Sequence, residues 1–139
     1  MIEIFKISLF PISYVRPFIG GITAGFPSPA DDHLDSNIDL NIELIKDKDA
    51  TFFGRVQGDS MTEAGIDHGD LLIINKSLEP RNGKIAVCFI DGEFTVKRIK
   101  IEKEIVWLIA ENKHYPPIKV NKDNDFLIWG IVTNVIKYF

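Results

Sequence analysis

The feature that most constrains the fold is a series of short apolar runs, rich in β-branched and aromatic residues, that turn sequences separate. Six such runs follow one another, at residues 52–57, 71–75, 85–90, 93–99, 104–110 and 126–137. The turn signals between them include Gly69-Asp70, Asn82-Gly83 and Asn124-Asp125. Strands of this length, bounded in this way, are typical of antiparallel β proteins. The sequence therefore predicts a mainly β, compact domain with one or two short helices.

The dipeptide Asp91-Gly92 predicts a hairpin between the third and fourth runs, because it favours a two-residue type I′ turn. Counting outward from this turn pairs Ala86 with Lys97. Because side chains alternate along a strand, the hairpin has two different faces. One face carries Val87, Phe89, Phe94 and Val96, and the other carries Ala86, Cys88, Thr95, Lys97 and Ile99. Lys97 is thus expected among small residues.

The N-terminal segment has a different character. Residues 1–29 are predicted to form an extended, flexible arm, because seven prolines and glycines would interrupt a helix there: Pro11, Pro17, Gly20, Gly21, Gly25, Pro27 and Pro29. Residues 30–139 are predicted to be one domain, since 139 residues with a 45% hydrophobic content suit a single core. Within that domain, Asp39 is expected to cap a short helix through Lys46, with Leu40, Leu44 and Ile45 facing the core.

Composition excludes several classes of site. A net charge of −4, with a strongly acidic stretch at residues 31–49, disfavours a protein whose main task is to grip phosphates. The acidic stretch itself is interpreted as a solvated surface.

Cys88 is the one cysteine and lies in an apolar run, which predicts a buried thiol in a reducing compartment. His33, His68 and His114 lack partners at metal-ligand spacing, so we predict no metal and no cofactor.

Targeting signals are weak. An apolar stretch at residues 7–15 that follows Lys6 gives a faint outline of a signal peptide. Glu3, Pro11 and the bulky Ile22 argue against that interpretation. No apolar run approaches the ~20 residues that a membrane-spanning helix needs. We therefore expect a cytoplasmic protein without a membrane partner.

Ser60, within Gly58-Asp59-Ser60-Met61, and Lys97 are the candidate nucleophile and general base. A lysine of ordinary pKa, about 10.4, is almost wholly charged at pH 7, so burial must lower its pKa before it can accept the serine proton. Backbone N–H groups around Ser60 are the candidate donors to an oxyanion. Taken singly, a serine in a turn is usually structural, and a lysine on a strand is usually a solvated edge residue.

Several motifs of this chain resemble those of the LexA/UmuD-type self-cleaving serine peptidases, and they keep the order and spacing that they have in that family. They are Phe26-Pro27-Ser28-Pro29-Ala30, residues 58–61, residues 68–73, residues 91–97, Asn112 with Tyr115, Pro117 and Ile118, and Gly130-Ile131-Val132. The resemblance covers about residues 25–136. It implies a LexA-like peptidase β domain in which Ser60 is the nucleophile, Lys97 is the general base, and the bond between Ala24 and Gly25 is cut.

The same resemblance implies partners. Members of the UmuD type cleave themselves when bound to RecA filaments on single-stranded DNA, in the SOS response. The shortened product then acts as a homodimeric accessory subunit of an error-prone, UmuC-like Y-family polymerase in translesion synthesis. Cleavage within one protomer and cleavage across the dimer are both open, because the chain from Ala24 to Ser60 spans on the order of 100 Å when extended.

Two alternative interpretations stay open, and two others are disfavoured. LexA-like repressors place a helix-turn-helix domain before the cleavage bond, whereas a proline-broken arm precedes it here, so direct sequence-specific DNA binding is not expected. A repressor-like regulator without its own DNA-binding domain stays open. So does a binding module in which cleavage serves only to expose a surface for a polymerase. Signal peptidase I also combines a Ser-Met nucleophile with a lysine followed by arginine, as in Lys97-Arg98, but it is anchored in a membrane.

Overall fold

Two compact units make up the chain. The computed structural model describes residues 2–6, 15–19, 22, 24–26 and 34–139. One unit comprises residues 9–46, and the other comprises residues 1–8 together with 47–139. The elements in chain order are β1 (Ile2–Lys6), β2 (Val15–Ile19), β3 (Leu34–Asp39), α1 (Leu40–Leu44), β4 (Thr51–Val56), a 3₁₀ turn (Thr62–Ala64), β5 (Leu71–Asn75), β6 (Ile85–Ile90), β7 (Glu93–Glu102), β8 (Ile105–Ile109), β9 (Ile118–Lys119) and β10 (Phe126–Ile136).

The larger unit is built on one curled sheet of eight strands in the order β1-β4-β5-β10-β6-β7-β8-β9. Every neighbouring pair in this sheet is antiparallel. The predicted mainly β fold is confirmed, and β5 and β6 have the predicted bounds. The strand β7 runs to Glu102, three residues beyond its predicted end, because it pairs with β8 as well as with β6.

The hairpin of β6 and β7 has the predicted register, with Ala86 opposite Lys97. Asp91 and Gly92 at its turn have φ values of 49° and 88°, the positive values that a type I′ turn requires at both central residues. The two faces of the hairpin pack into separate apolar clusters. Val87 and Val96 join a cluster that also contains Ile2, Val56, Met61, Ile66, Leu72 and Ile74. On the other face, Ala86, Cys88 and Ile99 pack with Leu108 and Ile131.

The first residues of the chain are part of the larger unit. The strand β1 pairs with β4 along its whole length, and the Ile2 side chain is 6% exposed in the first apolar cluster. Gly54 leaves room for it, since a Cβ there would lie 3.0 Å from Ile2 Cδ1. The prediction of a flexible arm is therefore wrong for residues 2–6, because apolar burial and strand pairing hold them. Pro11, Gly20, Gly21, Pro27 and Pro29 lie outside the described residues, and the domain boundary at residue 29 stays a prediction.

The smaller unit contains the antiparallel pair β2–β3 and the helix α1. Asp39 caps this helix as predicted, its side chain accepting the Asn41 backbone N–H at 2.9 Å. The helix ends at Leu44 and not at Lys46, and Leu40 is 60% exposed, so the predicted core-facing position of Leu40 is wrong. A helix of five residues makes little more than one turn, which is too short to present a continuous apolar stripe.

Gly130 in β10 lies where the register against β6 shifts between Ile128 and Gly130. A Cβ added to Gly130 would lie 2.6 Å from Ile74 Cγ2. Since Ile74 is fully buried, we expect Gly130→Ala to lower the free energy of unfolding by about 1–3 kcal/mol through overpacking. Urea denaturation measures this change.

The matched test is the double variant Gly130→Ala/Ile74→Ala. Removing the Ile74 side chain makes room for the new methyl group, so the double variant should lose less stability than the two single losses added together. Strict additivity would contradict the steric explanation.

Candidate active site

The turn that carries Ser60 follows β4 and is fixed on both sides. Before the serine, Gly58 donates its backbone N–H to His68 Nδ1 at 3.1 Å. After the serine, the Met61 side chain is buried in the first apolar cluster, and the Ala64 backbone N–H donates to the Met61 carbonyl at 3.0 Å. Packing and hydrogen bonds therefore hold the short segment between β4 and the 3₁₀ turn in one position.

Lys97 lies on β7 with its ammonium nitrogen directed at this turn. The residue is 8% exposed, and its Nζ lies 3.0 Å from Ser60 Oγ. The same nitrogen donates to Thr95 Oγ1 at 2.8 Å and to the Val96 carbonyl at 3.1 Å. The structure thus brings together the two side chains that the sequence nominated, although 36 residues of chain separate them.

The surroundings of Lys97 favour the neutral amine. Burial lowers the pKa of Lys97 from its ordinary value. Burial also raises the pKa of the Cys88 thiol to about 12, so this neighbour is uncharged near neutral pH and supplies no counter-charge. Within the described residues, no carboxylate forms an ion pair with Lys97. A neutral amine can donate to Thr95 and Val96 and still offer its lone pair to the Ser60 hydroxyl proton.

A cavity of about 230 Å³ opens beside the two side chains. Residues 57–61 line it, together with Val56, Thr95 and Tyr115. In the part of the chain that the structure describes, no protein acceptor takes the backbone N–H of Ser60 or of Met61. A peptide carbonyl that entered this cavity would meet the serine oxygen together with two free backbone donors, the combination that acyl transfer requires.

A second segment, residues 111–115, contacts the serine turn from outside the sheet. Asn112 Nδ2 donates to the Asp59 carbonyl at 2.8 Å, and the Tyr115 hydroxyl donates to the Asp59 carboxylate. The sequence had singled out Asn112 and Tyr115 as matching positions but had given them no role, and it had placed Thr95 only on the same face as Lys97. The polar pattern Asn-x-x-Tyr just after an apolar run was the available signal.

Ala24 and Gly25 lie in the smaller unit, where both are exposed and belong to a bend at residues 24–26. Gly25 has φ 146°, a value that residues with a Cβ rarely adopt. The bond between them is therefore part of irregular, accessible backbone. Such backbone is easier to thread into a peptidase cleft than a helix or a paired strand.

Across residues 2–6, 15–19, 22, 24–26 and 34–139, no three His, Cys, Asp or Glu side chains group as metal ligands would. In the same residues, no helix has the length and apolar character needed to span a bilayer.

Comparisons with known proteins agree with the geometry. The family model described as peptidase S24-like matches residues 17–133. Protein ImpA of Salmonella typhimurium is 41% identical over 125 residues, which cover 89% of this chain and 85% of ImpA. Protein SamA of Salmonella typhimurium strain LT2 is 40% identical over 127 residues, or 91% of this chain and 88% of SamA. The LexA repressor of Pseudomonas chlororaphis is 43% identical over 122 residues, or 87% of this chain and 60% of the repressor.

Because the family model spans most of the chain and these relatives align with nearly all of it, the chain belongs to the peptidase S24-like family of self-cleaving serine peptidases, as a protein of the UmuD type.

Proposed function

We propose that the protein cuts its own bond between Ala24 and Gly25, with Ser60 as the nucleophile and Lys97 as the general base. The observation that carries this proposal is the 3.0 Å approach of Lys97 Nζ to Ser60 Oγ in a buried setting that lowers the pKa of the amine. A lowered pKa makes the lone pair of the amine available at lower pH than in a solvated lysine, and an available lone pair is what a general base needs.

The proposed chemistry has two steps. In the first, Ser60 Oγ attacks the Ala24 carbonyl carbon while the Ser60 proton passes to Lys97 Nζ. The N–H groups of Ser60 and Met61 stabilise the oxyanion, and the Lys97 ammonium then gives its proton to the Gly25 nitrogen as the peptide bond breaks. In the second step, Lys97 takes a proton from water as the water oxygen attacks the carbonyl of the ester between Ser60 and Ala24. The Lys97 ammonium then gives that proton to Ser60 Oγ as the ester bond breaks. The products are a carboxylate at Ala24 and a new amino terminus at Gly25.

Thr95 and Val96 have a distinct part in this cycle. Each time Lys97 becomes an ammonium, it carries three protons and needs three acceptors. The Thr95 hydroxyl and the Val96 carbonyl supply two of them, and Ser60 Oγ supplies the third. These acceptors limit the cost of the transient buried charge without adding a fixed negative charge that would hold the lysine protonated.

Tethering explains how a small cleft can suffice. Because the substrate bond belongs to the same protein, docking of the arm replaces a diffusional encounter with a high effective concentration. Side-chain recognition around the bond can therefore be modest, and small residues such as Ala24 and Gly25 fit a cavity of about 230 Å³. Docking within one protomer and docking across a homodimer both satisfy this argument.

We further propose that RecA filaments on single-stranded DNA stimulate this cleavage and that the form starting at Gly25 serves a Y-family polymerase as a homodimeric accessory subunit. Similarity to ImpA and SamA over 85% and 88% of their own lengths supports this role. The alternative is a LexA-like transcriptional regulator, which the 43% identity to a LexA repressor supports. Sequence-specific DNA binding by the full chain would favour the alternative.

Removal of either catalytic side chain is the first test. Ser60→Ala and Lys97→Ala should each slow self-cleavage at Ala24 by at least about 10³-fold, because the two groups act as a unit. Intact mass spectrometry after incubation at alkaline pH reports both the bond and the extent of cutting. Ser77→Ala and the exposed Lys100→Ala on β7 are matched controls. Equal fragment patterns in wild type and Ser60→Ala would contradict the proposal, because cleavage would then not need the Ser60 hydroxyl.

The pH dependence gives an independent test. Below the lowered pKa of Lys97, each unit of pH raises the neutral fraction of the amine about tenfold, so the rate of self-cleavage should rise about tenfold per unit. Above that pKa the rate should level off, at a pH below the ordinary lysine range. First-order rate constants from time courses at several pH values give the profile. A rate that falls with rising pH would contradict Lys97 as the base.

A co-purification assay tests the polymerase role. The form starting at Gly25 should retain a Y-family polymerase subunit more strongly than uncut Lys97→Ala, since cleavage is proposed to expose the contact surface. Parallel incubation of the full chain with RecA on single-stranded DNA, followed by intact mass measurement, tests the trigger. Equal retention of the uncut variant would count against a cleavage switch while leaving the peptidase proposal intact.

A further inference from the structure

The segment at residues 111–115 holds Asp59 at two points. Asn112 Nδ2 donates to the Asp59 main-chain carbonyl at 2.8 Å, and the Tyr115 hydroxyl donates to the Asp59 side-chain carboxylate. Beside these contacts, the Glu63 backbone N–H donates to the Glu111 carbonyl at 2.8 Å. The residue immediately before Ser60 is thus fixed in both its backbone and its side chain by a segment about 50 residues further along the chain.

This segment is itself ordered by local hydrogen bonds. Asn112 Oδ1 accepts the His114 backbone N–H at 3.0 Å, and the Tyr115 backbone N–H donates to the Asn112 carbonyl at 3.0 Å. The Arg98 guanidinium pairs with the Glu111 carboxylate. Since Arg98 is the neighbour of Lys97 on β7, the segment that holds the serine turn is attached to the strand that carries the lysine.

The contact from Asn112 helps to determine where the Ser60 N–H points, together with the Thr62 backbone N–H, which donates to the same Asp59 carbonyl at 3.4 Å. The described peptide bonds are all trans, and in a trans peptide the C=O and the following N–H point in opposite directions. With the Asp59 carbonyl held toward Asn112, the Ser60 N–H must point away from Asn112, and no acceptor within the described residues takes it. A rotation of this peptide would move the donor away from the place where the oxyanion forms.

The contact from Tyr115 determines where the Asp59 carboxylate lies. An aspartate side chain readily accepts the backbone N–H two residues further on, in an Asx turn. At this position that donor would be the Met61 N–H, which no described acceptor takes in the structure. Because Tyr115 lines the cavity and binds the carboxylate, it holds a negative charge away from the donors that the reaction needs.

We propose that Asn112 and Tyr115 are positioning residues of the self-cleavage reaction: Asn112 orients the peptide between Asp59 and Ser60, and Tyr115 keeps the Asp59 carboxylate off the backbone donors of the oxyanion. The proposal deepens the proposed function and rests on Ser60 as the nucleophile.

Two conservative variants of the full chain test it. Asn112→Asp keeps an oxygen to accept the His114 N–H but removes the donor to the Asp59 carbonyl. Tyr115→Phe removes the hydroxyl alone. Because loss or misplacement of an oxyanion donor costs about 10²-fold or more, we expect the alkaline plateau of the self-cleavage rate to fall by about 10- to 100-fold in each. Asn121→Asp and Tyr138→Phe are the matched controls, at exposed positions outside this segment.

Three readouts separate positioning from a general loss of structure. In Tyr115→Phe, the pH midpoint of the rate profile should stay at the wild-type value, because the contacts of Lys97 are unchanged. The double variant Asp59→Ala/Tyr115→Phe should regain most of the lost rate, since no carboxylate remains to block the donors. Labelling of Ser60 by a fluorophosphonate, which needs the oxyanion donors but not the arm, should slow in parallel with cleavage.

The possible results distinguish failure of this proposal from failure of the proposed function. Wild-type rates of cleavage and labelling in both Asn112→Asp and Tyr115→Phe would overturn the proposal, as would a Tyr115→Phe defect that Asp59→Ala fails to relieve. A moved pH midpoint with an unchanged plateau would also overturn it, because the two residues would then act on Lys97. A wild-type chain that neither cleaves itself nor labels at Ser60 would instead overturn the proposed function, and this proposal with it.

Discussion

The rest of the site depends on the burial of Lys97, which forms no ion pair with any carboxylate of the described residues. Burial makes the charge of Lys97 costly in the folded state, and the pKa of the amine is lowered as a result. The contribution of Lys97 to the free energy of unfolding is therefore least favourable below that lowered pKa, where the folded protein must carry the charge. As pH rises from there toward 10.5, the unfolded chain still binds the proton that the folded chain has lost, so the cost of folding falls.

The strand pairing of β6 and β7 makes this burial possible. Val96 and Lys97 are neighbours that point to opposite faces, so Val96 packs into the first apolar cluster while Lys97 lies across from Ala86. Small residues on the lysine face leave space for the long side chain to turn toward Ser60. On the serine side, Met61 is buried in the same cluster as Val96, which sets the distance between the turn and the strand. One apolar cluster therefore positions both the turn that carries Ser60 and the strand that carries Lys97.

Polar contacts complete what packing begins. A serine turn held only by Met61 could still rotate its peptides, and the direction of the backbone N–H groups decides whether an oxyanion is stabilised. The hydrogen bond from Gly58 to His68 restrains the turn before Ser60, and the contacts from Asn112 and Tyr115 restrain Asp59. His68 is only ten residues from Gly58 along the chain, whereas Asn112 and Tyr115 are more than 50 residues from Asp59 and reach the turn through the fold. Ser60 and Met61 both line the cavity, and no acceptor among the described residues takes their backbone N–H groups.

Local sequence was sufficient for the six predicted strands, for the type I′ hairpin and for Lys97 opposite Ala86, because turn chemistry and a period of two act over a few residues. It was also sufficient for the family resemblance that named Ser60 and Lys97. Local sequence failed to predict the strand that contains Ile2, because that strand depends on the space above Gly54. It also failed to predict the exposure of Leu40, because a short amphipathic pattern does not indicate how many turns a helix will make. The 3.0 Å approach of Lys97 to Ser60, the lowered pKa and the hold of Asn112 and Tyr115 on Asp59 come only from tertiary structure. Each depends on desolvation or on contacts between residues tens of positions apart, and both exist only once the sheet has formed.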